Sequence, residues 1–316
     1  MEAKRCLYCY QFLNKEEHDI HAACSKKFFG SSQPPLLPYS EAEMYELGLH
    51  VIRSQSAVTG VQPKLSLHLE KPKDRETPRR FTIVGLWGSY ILKPPVDLYP
   101  NLPELEDLTM HLAENCGIKT VPHSLIRLGS GSLAYITKRI DRTKAQKIHM
   151  EDMCQLTGRL TEHKYKGSYE QIAKAILKHS ANPLFDVISF FEQVVFSFLT
   201  GNADMHLKNF SLMKHPNIGW VLCPAYDMVP SALVVKGDSE ELALNINGKK
   251  QKINNNDFRT AMKKCHIPDK AMENIFSKFK RIDANWDKLI HTSFLPEDLK
   301  EDYSRLISLR MNRLYS

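Results

Sequence analysis

Asp204, His206, Lys208 and Asn209 fall within six residues of one another, in the run Leu199-Thr-Gly-Asn-Ala-Asp-Met-His-Leu-Lys-Asn-Phe210. Their types suit phosphoryl transfer, which needs a carboxylate to orient the attacking hydroxyl and, a few residues on, an amide to hold Mg²⁺. Asp204 and Asn209 stand in that order, five apart. A polar loop closed by an Asx turn would use the same residues, so the spacing alone leaves both readings open. Asp227, in Pro224-Ala-Tyr-Asp227, lies 18 residues beyond Asn209. A hairpin of that length returns it beside Asn209, where a second oxygen ligand suits a hard divalent cation that also binds phosphates. Its plainer reading is a turn aspartate ahead of Pro230.

Lys93, in Tyr90-Ile-Leu-Lys-Pro94, is a further candidate. A lysine at the end of an apolar strand aims a fixed positive charge and can meet a nucleotide's phosphates, with a carboxylate on the next helix to orient it. Glu106 is expected in that role, with Glu104 as a competitor; otherwise a lone strand lysine is a solvated group. The segment Ser56-Ala-Val-Thr-Gly-Val-Gln-Pro-Lys64 is neither a Gly-x-Gly-x-x-Gly loop nor a Walker motif. Its single glycine, Gly60, with its hydroxyls, Gln62 and Lys64, can lie over phosphates or form a surface turn. In chain order the candidates read as loop, lysine, glutamate, Asp-x4-Asn and aspartate.

The elements that must position these residues change character near residue 150. Before it, Lys64 to Leu69 alternates, and Phe81 to Leu86 and Tyr90 to Leu92 are β-prone. Residues 103–116 suit a helix with Leu105, Leu108, Leu112 and Ala113 on one face. Two more strands are expected over Val121–Leu128 and Leu133–Arg139. After it, Tyr169–His179, Pro183–Thr200, Asp269–Ile290 and Leu295–Tyr315 read as helices, interrupted by a strand pair, Asn209–Met213 and Gly219–Leu222. A β-rich lobe followed by a mostly helical one is an α+β architecture. The expected divisions are a Cys/His head over 1–30, a Pro-rich linker and short helix over 31–49, a β-rich lobe over 50–145 and a helical lobe over 146–316.

Composition narrows the function classes. At 316 residues the chain suits two lobes around a cleft. With 42% hydrophobic and 25% charged residues it is an ordinary globular protein rather than a disordered or low-complexity one. The most apolar stretch, Leu184 to Leu199, is interrupted by Asp186, Ser189, Glu192 and Gln193, so it reads as a buried helix and not a membrane span. No secretory leader is expected after Met1 to Arg5, which implies a reducing, cytoplasmic setting without disulfides. The net charge of +7 favours acidic ligands such as ATP or an acidic protein face, and permits DNA contact.

Three of the seven cysteines crowd the first 24 residues. Cys6-x2-Cys9 and His21-x2-Cys24 form a Cys3His set whose spacing suits tetrahedral Zn²⁺, with His18 as a substitute for His21. A reduced, buried cysteine cluster is the alternative. A site filled by four protein ligands is structural rather than catalytic. Cys116, Cys154, Cys223 and Cys265 are scattered and read as small core residues.

The segments Gly60-Val-Gln-Pro-Lys64, Ile91-Leu-Lys-Pro94, Gly201-Asn-Ala-Asp-Met-His-Leu-Lys-Asn-Phe210 and Tyr226-Asp227 together resemble the HipA family of kinase toxins, over roughly residues 50 to 316. Ile136 to Arg142 followed by His149 to Asp152 resembles that family's hinge. The resemblance implies a bilobal protein-kinase-like fold and an ATP- and Mg²⁺-dependent serine/threonine kinase belonging to a toxin–antitoxin system. Asp204 would then be the catalytic aspartate, with His206 and Lys208 beside it, and Asn209 and Asp227 the Mg²⁺ ligands. Lys93 would bind phosphates with Glu106 as partner, Gly60, Gln62 and Lys64 would cover the nucleotide, and the backbone from Lys138 to Ile140 would meet adenine.

The family autophosphorylates a serine ahead of the loop glycine. Here Ala57 holds that position, so the modification is expected on Thr59, or on Ser54 or Ser56. The chain is similar to the shorter HipT-like members, which lack an N-terminal subdomain. That implies a small antitoxin resembling the missing piece, a helix-turn-helix antitoxin that reaches DNA, and a protein substrate of the kind the family modifies, aminoacyl-tRNA synthetases among them. An inactive kinase fold serving as a DNA-associated corepressor is the competing reading, against which the intact Lys93, Asp204, Asn209 and Asp227 argue. A kinase acting on small molecules or lipids ranks last, since no membrane-binding amphipathic helix is read.

Overall fold

The computed structural model describes residues 4–44, 46, 64–70, 79–84, 88–143, 146–235, 237, 239–281 and 283–316. They form two compact units: one of residues 1–107, 121–140 and 292–294, the other of 108–120, 141–291 and 295–316. No helix among the described residues is long and apolar enough to cross a membrane.

The first unit is built on a five-stranded antiparallel sheet. Its strands are β1 (Leu65–Leu69), β2 (Phe81–Val84), β3 (Tyr90–Lys93), β4 (His123–Arg127) and β5 (Leu133–Lys138), in the spatial order β2-β1-β3-β5-β4. Alternation along a strand sends successive side chains to opposite faces. Leu65 and Leu67 of β1, Tyr90 and Leu92 of β3, and Ala134 and Ile136 of β5 all enter one buried cluster. The Cys/His head completes that cluster with Cys6, Leu7, Ile20, and Phe28 and Phe29 of helix α1 (Ala22–Phe29). Phe28 meets Tyr90 edge-on at 5.9 Å between centroids, and Phe29 meets Phe81 at the same distance. The head is therefore part of the sheet's core. The Pro-rich stretch after it is extended, as expected, and it pairs with the sheet: the Leu36 amide donates to the Arg79 carbonyl, and the Phe81 amide donates to that of Leu36. The helix expected over 41–54 is seen at 41–44; most of the rest lies outside the described residues.

Helix α2 (Leu102–Asn115) follows β3, and the division between the units falls within it, after Asp107. The second unit holds a three-stranded antiparallel sheet, β6 (Met150–Asp152), β7 (Ser211–His215) and β8 (Gly219–Leu222), in the order β6-β7-β8. Its helices are α3 (Met153–Leu156), α4 (Tyr169–His179), α5 (Pro183–Leu199), α6 (Ser231–Val234), α7 (Asn255–Lys264), α8 (Asp269–Lys280), α9 (Asp283–Thr292) and α10 (Glu297–Tyr315). Helix α5 is apolar nearly all round because it is buried nearly all round. Phe190 packs on Phe210, Phe196 on Trp286 and Phe198 on Phe258. Asp186, an acid inside this helix, accepts from the Ser180 hydroxyl at 2.5 Å and the Leu222 amide at 2.8 Å, tying α5 to β8.

Three expectations are corrected here. The helix expected over Asp269–Ile290 is two helices, α8 and α9. The apolar spacing Met272, Ile275, Phe276, Phe279, Trp286, Ile290 runs through the join, so the pattern alone merges them. The strand expected from Asn209 starts at Ser211, because Leu207–Asn209 form a 3-10 turn with the Asn209 amide donating to the His206 carbonyl. His149 to Asp152, grouped with the hinge, supplies β6, which pairs with β7.

Gly201, directly after α5, has φ +68, and a Cβ there would lie 2.5 Å from Leu306 Cδ2 and 3.1 Å from Ala232 Cβ. A left-handed backbone conformation and close packing thus both call for glycine. Gly201→Ala is expected to destabilise the protein by about 2 kcal/mol, seen calorimetrically as a melting temperature lower by about 5 °C; an unchanged melting temperature contradicts this account.

Candidate functional site

Lys93 ends β3 on the face opposite Tyr90 and Leu92. Its ammonium lies 2.6 and 2.7 Å from the two carboxylate oxygens of Glu106, with both side chains buried. Glu106, not Glu104, is the partner. The lysine nitrogen also sits 5.4 Å from the centre of the Tyr135 ring, directly across the sheet register. Removing two charges from water costs several kcal/mol per ion, which mutual attraction repays only with tight geometry. Next to Glu106, Asp107 accepts from Tyr10 Oη at 2.8 Å and pairs with His123 Nδ1 at 2.7 Å. All three are buried, and burial together with the Asp107 charge pushes the Tyr10 hydroxyl well above its usual pKa.

In the second unit, the loop after α5 organises the other candidates. Asp204 is exposed. Its amide donates to Asn202 Oδ1 at 3.1 Å, so the Asx turn anticipated as the plainer reading is present. Asn209 Nδ2 donates to the Asp204 carbonyl at 2.9 Å, which leaves Oδ1 as the atom Asn209 can offer a cation. Tyr165 Oη donates to Asp204 Oδ1 at 2.5 Å, and its ring meets that of His206 edge-on. Burial lowers the His206 pKa against the opposing pull of Asp204 and Asp227, so the imidazole is neutral near pH 7. Its Nδ1 and the Asn202 Nδ2 are buried and without a hydrogen-bond partner among the described residues. Lys208 is ion-paired with Asp152 at 2.8 Å, and Asp152 also caps α3 by accepting from the Gln155 amide.

Asp227 follows β8 with a left-handed φ of +60, a conformation that aspartate tolerates better than most residues. Its neighbour Tyr226 bonds to Ser211 at 2.6 Å and donates to the Lys208 carbonyl at 3.1 Å, which ties the Asp227 segment to the residue before Asn209. Asn209 and Asp227 offer an amide and a carboxylate, hard oxygen donors that fit Mg²⁺.

The Lys138 amide donates to the Pro122 carbonyl and the Arg139 amide to that of Ser89, so neither is available to a ligand in this conformation. Ile140 is half-buried and Lys64 is exposed. The calls on Gly60, Gln62, Ser54, Ser56 and Thr59 lie outside the described residues. Cys6, Cys9, His21 and Cys24 converge, with one donor atom of each within 4.8 Å of the others. Sequence reasoning missed Tyr165, Tyr226, Asp107 and Asp152. None carries a local motif, and each finds its place through a partner distant in the chain.

Replacing Lys93 by methionine leaves Glu106 buried without its cation. Lys93→Met is expected to lose about 3–5 kcal/mol in denaturant unfolding, and Lys93→Met with Glu106→Leu to regain most of it. A double variant as unstable as the single one would show that the pair is not the cause.

The profile of the HipA-like C-terminal domain matches residues 56–286. A relative from Haemophilus influenzae, provisionally designated a kinase, is 33% identical over 225 residues, 66% of this chain and 61% of its own length. One from Sinorhizobium fredii under the same designation is 35% identical, over 53% of this chain and 43% of its own. The serine/threonine-protein kinase toxin HipA of Shewanella oneidensis is 27% identical, over 60% and 46%. The chain thus spans less than two thirds of the curated relatives it matches. Among solved structures, Shewanella oneidensis HipA, in a complex with HipB and operator DNA, superposes with a TM-score of 0.70 at 20% identity, covering 96% of this chain and 75% of that one. The Helicobacter pylori kinase CtkA superposes with a TM-score of 0.50 at 17% identity, covering 71% and 87%. The sheet of the first unit, the helices of the second and the profile match over most of the sequence lead to one assignment: the chain belongs to the HipA-like C-terminal domain family.

Proposed function

We propose that this protein is an ATP- and Mg²⁺-dependent serine/threonine protein kinase, the toxin of a HipA-type toxin–antitoxin system acting in the cytoplasm. The buried Lys93–Glu106 ion pair carries the reading. A carboxylate that orients a strand lysine toward nucleotide phosphates is a working part of protein kinases, whereas for stability alone a buried pair gains little over apolar packing.

Asn209 and Asp227 would hold Mg²⁺, which when bound would neutralise charge on the phosphates. Asp204 would orient the serine or threonine hydroxyl and take its proton. The hydroxyl oxygen bonds to the γ-phosphorus, the bond from that phosphorus to the bridging oxygen breaks, and ADP leaves. The Tyr165 phenol already presents an O–H to Asp204 Oδ1, the contact a substrate hydroxyl would make. Neutral His206 supports the loop from its buried side, and Lys208, through Asp152, is a positioning residue for Asn209. Lys64 with Gly60 and Gln62 would cover the nucleotide. The substrate would be a protein, an aminoacyl-tRNA synthetase being the family's example. The partners would be a DNA-binding antitoxin, as HipB accompanies the Shewanella protein, and a small antitoxin supplying a further subdomain.

Phosphosite mapping after incubation with Mg²⁺-ATP tests this. The wild type should carry phosphate on Thr59, Ser56 or Ser54, and Asp204→Ala should carry none while its ATP affinity stays within about threefold, about 0.7 kcal/mol. A wild type that neither binds Mg²⁺-ATP nor transfers phosphate, and instead binds DNA alone with a steep salt dependence, would replace the kinase with the corepressor. Asp227→Ala should weaken Mg²⁺-ATP binding at least tenfold, about 1.4 kcal/mol, in a calorimetric titration; unchanged affinity rejects its ligand role.

A further inference from the structure

We propose that Cys6, Cys9, His21 and Cys24 bind one structural zinc ion, and that this ion fixes the turn from which Tyr10 braces Asp107, the neighbour of Glu106 on α2.

The ligands come from two local structures. Cys6 and Cys9 lie in a tight hairpin. The Cys6 amide donates to the Gln11 carbonyl, the Tyr10 amide donates to that of Cys6, and Arg5 bridges Phe12. His21 precedes α1, and Cys24 lies in its first turn. Cys9 Sγ and His21 Nδ1 are 3.4 Å apart, and Cys24 Sγ and the same nitrogen 3.8 Å. A tetrahedron with Zn–S of about 2.3 Å and Zn–N of about 2.0 Å has an S···N edge of about 3.6 Å, so the two distances bracket the required one.

The imidazole is oriented for ligation. His21 Nε2 lies 3.0 Å from the Phe12 carbonyl, which can only accept, so the proton sits on Nε2 and Nδ1 presents its lone pair to the thiols. A backbone carbonyl holding the distal nitrogen of a metal-binding histidine is the usual outer-sphere arrangement. The His21 amide in turn points at Cys6 Sγ, at 3.4 Å. A packing role does not account for the cluster. Cys116, Cys154, Cys223 and Cys265 are each buried, whereas Cys9 and Cys24 are only half-buried, and none of the cysteines is in a disulfide. Three thiols and an imidazole nitrogen drawn together away from the deepest core gain little from apolar burial and much from a soft cation.

The site reaches further than the head. Tyr10 directly follows the Cys6–Cys9 knuckle and adopts a left-handed φ of +62, unusual for an aromatic residue. In that conformation its side chain is 1% exposed and its hydroxyl reaches Asp107, 97 residues away in sequence. Its ring also meets Phe294 edge-on at 5.2 Å. The zinc would hold the knuckle that sets this backbone conformation.

Full-length protein grown with zinc and dialysed against metal-free buffer is expected to retain one zinc per chain by elemental mass spectrometry. Cys24→Ser should retain less than a tenth of it. His21→Cys, which offers four thiolates, should keep it, and keeping it shows that losses elsewhere are losses of a ligand and not of folding. A wild type with no metal that also shows no tetrahedral absorption bands on titration with Co²⁺ overturns the site, as does an equimolar content of another metal. Hydrogen exchange reads the brace. Chelation should speed exchange at Tyr10 and at the α2 amides of Leu105 to Asp107 at least tenfold, leaving those of α7 unchanged. Tyr10→Phe should keep its zinc yet show the α2 effect alone. Unchanged exchange at Leu105 to Asp107 in both experiments overturns the brace.

Discussion

The costliest element of the first unit is a lysine ammonium held out of water. Lys93 sits on a strand whose neighbouring positions are apolar and buried, so its charge persists only because both oxygens of Glu106 meet it at hydrogen-bonding distance. That requirement fixes much else. The helix bearing Glu106 must present one turn to one point of the sheet, and it cannot slide or rotate without leaving a charge unpaired. Asp107, one residue on, is tied to Tyr10 and His123. Two consecutive acids on one helix thus hold it by different partners, one through a cation and the other through neutral or polarisable groups.

The loop after α5 solves the opposite problem, because it must hold an aspartate in the open. Its backbone is over-determined: Gly201 turns the chain where no side chain fits, Asn202 takes the Asp204 amide, and Asn209 takes the Asp204 carbonyl. The aspartate's carboxylate is left outside this network, save for the phenol of Tyr165. Ser231 adds a bond to the Ala203 amide from the following segment. Rigidity of the main chain and exposure of the side chain are both needed in a group that is to meet a diffusing hydroxyl.

Much of this was legible in the sequence, for reasons that can be named. Alternation exposed the strands, and the change from period 2 to period 3.6 near residue 150 exposed the two-part architecture. The Asp-x4-Asn spacing is set by local turn geometry, so it shows in local sequence. The choice between Glu104 and Glu106 is not local, since it depends on the phase of α2 against the sheet. Tyr165 and Asp204 are 39 residues apart, and nothing near either marks the other. Helix α7 went unread although Asn254 and Asp257 form a capping box at its start, because its polar composition hides the apolar face. The Asp186 carboxylate, read only as an interruption in an apolar run, is the acceptor that joins α5 to β8.

The match to the family begins at residue 56, yet the buried face of the first sheet does not close without residues that come before it. Phe28 and Phe29 cover Tyr90 and Phe81, and the main chain at Leu36 satisfies groups at the β2 side of the sheet. A chain trimmed to the family's limits would therefore open an apolar surface beside an unpaired strand edge, the combination that drives sheets to associate edge to edge. In this protein the head serves as a solubility seal, and any evolutionary gain or loss of it must have been matched by a change in the face it covers.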